Sequence, residues 1–205
     1  CDRILRTALD RGVDFIDTAH VYGRSEEIIG NALSGAGLRD RAFLCTKIQP
    51  MKNDPATILE QAETSLRRLK TDRIDLLLLH RPNPEIPIAE SLEALDRLVR
   101  DGKVRFVGTS GFKAWQILES LWTSHERELV SFRLESAVYS LLCRWPEIEL
   151  IPLLRTAGMG LSVWSPLGAG ALSDRYSRAN PPAHTELTER EWRILEAVQA
   201  IARDH

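Results

Sequence analysis

The chain has 205 residues, 43% of them hydrophobic and 27% charged, with a formal net charge of -2 at pH 7. That length and composition suit one domain, spanning 1–205, with a sizeable core. The near-zero charge balance gives no sign of the basic face that nucleic acids and membrane surfaces usually need.

The first predicted element is a helix over 2–11. The stretch CDRILRTALDRG is charged and helical in period, unlike the apolar centre of a secretion leader. Six short apolar runs follow: VDFIDT from Val13, AFLCTK from Ala42, IDLLLLH from Ile74, VRFVGTS from Val104, LVSFRLE from Leu129 and GLSVWSP from Gly160. Each is too short for a helix and rich in aliphatic, β-branched or aromatic residues, so each is read as a buried parallel strand. The longest apolar run, at 74–79, is interrupted by Asp75 and far too short to span a bilayer.

Amphipathic helices fill the gaps. The helix over 55–70 starts at Pro55, with Asp54 as N-cap. That over 87–100 carries Ile88, Leu92, Leu95, Leu98 and Val99 on one face and ends before Gly102. Its Ser91, Glu93, Asp96, Arg97 and Arg100 are expected to face water. Pro181-Pro182 marks a loop, and a last helix is expected over 188–203. Cys1, Cys45 and Cys143 make no CxxC motif and no disulfide framework, which fits a reducing, cytoplasmic setting.

Strand and helix thus alternate at about 30 residues per unit, the mark of a parallel α/β fold. Between a closed barrel and an open doubly wound sheet, the polar residues decide. Asp17, Lys47, His80 and Ser110 all sit at or just past the carboxyl ends of different strands. In a barrel those ends converge on one mouth; in an open sheet they are strung along an edge. The expected fold is a (β/α)8 TIM barrel, incomplete here, with about six βα units. Its first strand and its last strand and helix lie outside the sequence. With two open strand edges, the isolated chain is expected to be poorly stable or to associate.

Tyr22 lies five residues beyond Asp17, in the turn leading to a helix. Asp17, Tyr22, Lys47 and His80 at one mouth make a coherent proton donor. A free phenol holds its proton tightly at neutral pH, with a pKa of about 10. A lysine ammonium alongside favours the phenolate, and so eases release of the proton. Asp17 cancels part of this while keeping Lys47 charged and pointed. His80 would hydrogen-bond and orient a substrate oxygen. Burying a lysine at a strand end is costly without such a purpose.

The stretch GVDFIDTAHVYGRSEEIIGNAL resembles the aldo-keto reductase signature around its aspartate and tyrosine. SLRRLKTDRIDLLLLHRPNP resembles the segment ending in that family's histidine. DGKVRFVGTSGF resembles the following strand, and VWSPLGAGALSDRY the late cofactor loop. Order and spacing agree over nearly the whole chain. WQILESLW and YSLLCRWPEIELIPLL look most like the bacterial branch related to potassium-channel β subunits.

The resemblance implies Tyr22 as general acid, tuned by Lys47 and Asp17, with His80 orienting the substrate. It also implies hydride transfer from NADP(H) to a small aldehyde or ketone. No GxGxxG is present, so a Rossmann site has no support. Trp164 lies where the family stacks an aromatic ring on the nicotinamide. Ser165, Leu167 and Gly168 lie where its loop meets the pyrophosphate, and Ser110 where it binds the carboxamide. NADPH over NADH rests on family habit. Two positions depart from the pattern: Gly111 replaces an asparagine and Ser136 a glutamine, both of which grip the carboxamide. At a net 0.5–1.5 kcal/mol per hydrogen bond, losing both would weaken nicotinamide binding about tenfold or more.

Rival readings are a Schiff-base aldolase acting through Lys47, a metal-dependent hydrolase and a non-catalytic, cofactor-binding relative. The Asp17 carboxylate argues against a nucleophilic Lys47. One well-placed histidine argues against a metal site, and none is expected. His20 and Trp145 are weak candidates for lining the mouth. His125 reads as surface loop, Cys45 is expected to face away from Lys47, and Cys143 and Asn83 give no signal.

Overall fold

The computed structural model describes residues 2–35, 37–183 and 186–204. Its six strands are β1 (Phe15–Asp17), β2 (Phe43–Ile48), β3 (Ile74–Leu79), β4 (Val104–Ser110), β5 (Leu134–Val138) and β6 (Gly160–Trp164). They pair in chain order, all parallel, in one sheet. The crossovers carry α2 (Ser25–Leu33) with α3 (Leu38–Arg41), α4 (Pro55–Leu69), α5 (Ile88–Arg100), α6 (Ala114–Glu126) and α7 (Leu150–Thr156). Helix α1 (Asp2–Asp10) precedes β1 and α8 (Glu189–Asp204) follows β6. This is an incomplete (β/α)8 barrel. The sheet is curled: Arg81, just past β3, places its guanidinium 5.6 Å from the Trp164 ring at the end of β6. On a flat sheet those strands would stand about 14 Å apart.

The strands alternate between two faces. Leu44, Ile48, Leu77, Leu79, Val107 and Ala137 point outward into the main core, against Ile58, Ala62, Leu69, Leu92, Leu95 and Ile117 of the helices. Cys45, Leu76 and Leu78 point inward, packed by Phe43 and Leu134. Phe43 also stacks between Phe15 at 5.3 Å and Phe106 at 6.4 Å, forming an aromatic floor on the inner face.

The helix ends follow local chemistry. Asp54 accepts the Thr57 N–H at 3.0 Å and so caps α4, with Pro55 at the first turn. Thr188 and Glu191 bond reciprocally, side chain to backbone N–H, so Thr188 caps α8 rather than beginning it.

Three sequence expectations are corrected. Ser91 does not face water: it is buried and donates to the Asn53 carbonyl at 2.7 Å, tying α5 to the loop before α4. Asp96 is half-buried and accepts the Val130 N–H at 2.9 Å. That bond belongs to the third correction, because the apolar start of LVSFRLE is loop. Strand β5 begins only at Leu134, after buried Phe132 and half-buried Leu129 and Val130 have packed against the core.

At the lower, amino-terminal end of the sheet, Asp75 is buried on β3. It accepts the Leu44 N–H at 3.0 Å, Arg39 at 2.8 Å and Arg105 at 2.9 Å. Burial alone would push its carboxyl up, but these donors, the Leu44 N–H foremost, hold it below the usual carboxylate range. The bonds lock β2, β3 and β4 into register. Replacing Asp75 by alanine leaves the buried Leu44 N–H without its acceptor and removes one partner each from Arg39 and Arg105, and the expected loss is about 1–3 kcal/mol of unfolding free energy. Urea denaturation of the two proteins at pH 7 checks this.

Candidate active site

Four strand ends meet at the upper rim. Asp17 ends β1, Lys47 is the penultimate residue of β2, His80 follows β3 and Ser110 ends β4. Lys47 points inward and is only 3% exposed. An ammonium there needs its full set of acceptors. It finds them in Asp17 Oδ1 at 2.6 Å, Asp17 Oδ2 at 2.7 Å and the Thr18 carbonyl at 2.8 Å.

The turn after β1 folds Tyr22 back over this pair. It is closed by the Tyr22 N–H on the Ala19 carbonyl and the Ser25 N–H on the Tyr22 carbonyl, both at 3.0 Å. Lys47 Nζ lies 5.3 Å from the centre of the phenol ring. The Tyr22 and His80 rings meet edge to face at 5.8 Å. Tyr22 is 48% exposed, so the residue is accessible from the mouth. Asp17, Tyr22, Lys47 and His80 are thus brought together.

A brace behind the sheet holds the turn. Buried Glu26, at the start of α2, accepts Thr46 Oγ1 at 2.7 Å and Arg68 at 3.2 Å. Thr18 donates to Ser25 at 2.9 Å. His20 is part of this brace, facing Arg68 and not the mouth, and burial and Arg68 lower its pKa.

His80 is half-buried, and its Nδ1 is enclosed without a hydrogen-bond partner. Burial, with the neighbouring charges of Lys47 and Arg81, lowers its pKa to about 4. The imidazole is therefore neutral at pH 7 and suited to hydrogen-bonding rather than to carrying charge.

Ser110 and Ser136 stand side by side as register partners on β4 and β5, both buried. The Gly111 N–H donates to the Ser136 carbonyl at 3.0 Å. Trp164 ends β6 with its ring 40% exposed at the mouth. Beyond it the chain turns tightly, with positive φ at Ser165, Gly168, Ala169 and Gly170. Among the described residues the Leu167 and Ala169 N–H groups meet no acceptor. Free backbone N–H groups in such a turn can meet an anion. Among the described residues no group of three or more His, Cys, Asp or Glu side chains is placed to hold a metal ion, and no helix is long and apolar enough to cross a membrane.

Cys45 faces the same way as Lys47, contrary to the sequence reading, because residues two apart on a strand share a face. Burial drives its thiol pKa well up, with Asp17 adding to the effect. His125 belongs to the last turn of α6 rather than to a loop, and is exposed. Trp145 sits under Lys113 in a short 3-10 turn.

Two residues escaped the sequence reading. Arg81, directly after His80, reaches across the mouth to Gly111 and Trp164. Its signal was its place beside a strand-end histidine. Glu135 is fully buried behind Ser110 and Ser136. Its signal was a lone carboxylate within an apolar strand, where desolvation is costly. Its Oε1 accepts the Phe112 N–H at 3.2 Å, while Oε2 and the nearby Thr109 hydroxyl find no partner. Burial raises the Glu135 pKa to about 7.

The folded chain therefore holds a proton on Glu135 that the unfolded chain releases near 4.5. Its contribution to stability falls as pH rises from about 4.5 to 7 and stays low above that. The expected penalty at pH 8 is on the order of 3 kcal/mol. Glu135→Gln should raise Tm clearly at pH 8 and far less at pH 5. An equal effect at both values would contradict this.

The aldo/keto reductase family model matches residues 2–205. The chain is 34% identical over 202 residues to the uncharacterized oxidoreductase YrpG of Bacillus subtilis (strain 168), covering 89% of this chain and 62% of that protein. It is 34% identical over 203 residues to a probable voltage-gated potassium channel subunit beta of Arabidopsis thaliana, covering 94% of this chain and 62% of that one. With aflatoxin B1 aldehyde reductase member 2 of Rattus norvegicus the identity is 33% over 178 residues, covering 84% and 48%. The chain thus spans under two thirds of the length of these relatives. With a mouth assembled from successive strand ends and a family match along its length, this chain belongs to the aldo/keto reductase family.

Proposed function

We propose that the protein is an NADPH-dependent oxidoreductase that reduces an aldehyde or ketone to an alcohol. The observation that carries this reading is the buried Lys47 ammonium held by Asp17, with Tyr22 and His80 closing over it. A carbonyl oxygen seated between the Tyr22 hydroxyl and the His80 ring has two hydrogen-bonding groups at once. A nicotinamide held at the mouth would supply the hydride that the carbonyl carbon accepts. Tyr22 gives its proton to the oxygen as negative charge builds there. The phenolate left behind faces the Lys47 ammonium, and Asp17 holds that ammonium in place. Neutral His80 fixes the direction of the carbonyl without competing for the proton.

The residues present fit a nicotinamide cofactor. The buried hydroxyls of Ser110 and Ser136, beside Gly111, suit the carboxamide, and the open ring of Trp164 offers a stacking surface. The turn through Ser165, Leu167 and Gly168, with the Leu167 and Ala169 N–H groups free, suits the pyrophosphate. The choice of NADPH over NADH and a cytoplasmic setting are parts of the same proposal. A Schiff-base role for Lys47 is disfavoured, because its acceptor set of two carboxylate oxygens and a carbonyl suits an ammonium and not a nucleophilic amine.

The test is NADPH oxidation by the full-length protein with 4-nitrobenzaldehyde, against the same protein carrying Tyr22→Phe. The expected loss is on the order of a hundredfold or more. Equal rates in the two proteins, with NADPH still bound, would favour a non-catalytic, cofactor-binding role.

A further inference from the structure

Arg81 is half-buried and, among the described residues, its guanidinium has no acceptor. Its backbone is pinned, since the Arg81 carbonyl accepts Asn53 Nδ2 at 3.0 Å. Its side chain makes no hydrogen bond or ion pair among the described residues, and lies 5.6 Å from the Trp164 ring centre. Neutral His80 lies within reach of its field but makes no hydrogen bond with it. Glu135 feels its field weakly but makes no ion pair with it: Oε1 accepts the Phe112 N–H and Oε2 has no partner.

The place it occupies is unusual. A Cβ built on Gly111 would lie 1.9 Å from Arg81 Nη1 and 3.1 Å from Cζ. The guanidinium fills the space that any side chain at position 111 would take. Gly111 also holds φ +68°, which glycine adopts freely and asparagine tolerates. The donors of Arg81 therefore stand beside Gly111 and Trp164, two of the residues assigned above to the nicotinamide.

We propose that Arg81 is a cofactor-binding residue: its guanidinium, admitted by Gly111, donates to the carboxamide oxygen of the nicotinamide in place of a side chain at position 111. This rests on the reading of the mouth as a nicotinamide site. A guanidinium stays charged at any relevant pH, so its charge has a second consequence. The oxidised nicotinamide ring is cationic and the reduced ring neutral, so Arg81 favours the reduced cofactor. An acceptor oxygen on a substrate carboxylate has similar chemistry, and the test separates the two sources.

The experiment measures binding, not turnover, on the full-length protein. NADPH, NADP+ and 2′,5′-ADP, which lacks the nicotinamide, are titrated by calorimetry against the parent, Arg81→Ala, Gly111→Asn and the double variant. Arg81→Ala should weaken NADPH roughly fivefold to tenfold, the worth of one good hydrogen bond. It should leave 2′,5′-ADP within twofold and weaken NADP+ less than NADPH. Gly111→Asn alone should also weaken NADPH, by displacing the guanidinium. The double variant, with room for the amide to donate, should recover affinity to within about twofold of the parent.

Unchanged NADPH affinity in Arg81→Ala would overturn the proposal and point to a substrate carboxylate. So would an equal loss for NADPH and 2′,5′-ADP, or a double variant no better than Arg81→Ala. A parent that binds none of the three ligands would overturn the nicotinamide reading itself, and this inference with it.

Discussion

The buried ammonium of Lys47 is the constraint around which the mouth is built. A lysine 3% exposed at the end of an apolar strand is tolerable only if its charge is met on the spot. Asp17 meets it with both oxygens and the Thr18 carbonyl completes the set. Both partners come from the end of the neighbouring strand, so the pair fixes how β1 and β2 present their ends. The turn that follows Thr18 then has one place to go, back over the lysine, and it carries Tyr22 there. His80 enters from β3, its ring held neutral by burial and by the same ammonium.

The rest of the fold keeps these ends aligned. Inner residues form a sparse layer of Cys45, Leu76 and Leu78 above the phenylalanine floor, while the larger core lies outside, between sheet and helices. Buried acids act as rivets on either side of the sheet's height. Asp75 ties three strands at the lower end, and Glu26 ties the first turn of α2 to Thr46 and Arg68 behind the active mouth. Glu135 differs from both. It lacks a partner for one oxygen and keeps its proton to near neutral pH, so it is a cost that the β4 loop carries.

Much of this was legible in the sequence because strands and helices have different periods and because polar residues ending apolar runs are rare without cause. Asp17, Lys47, His80 and Ser110 declared themselves in that way, and the α4 cap at Asp54 is local chemistry. What was not legible depends on packing between distant segments. Leu129 and Val130 have the composition of a strand but are used to seal a loop against α5. Ser91 reads as a surface residue until the Asn53 carbonyl is brought to it. The exchange of space between Arg81 and Gly111 joins residues thirty apart, which no periodicity encodes. Cys45 was misplaced by a parity slip, since a residue two before Lys47 must share its face.

The account makes Lys47 and Asp17 one unit, so the most direct measurement is a double-mutant cycle on the rate of NADPH oxidation. Parent, Lys47→Met, Asp17→Asn and the double variant are compared under saturating NADPH. If the pair acts together, each single change is severe and the double variant is no slower than the worse single one. Multiplying losses would contradict this, since they would mean that Asp17 and Lys47 serve the reaction independently.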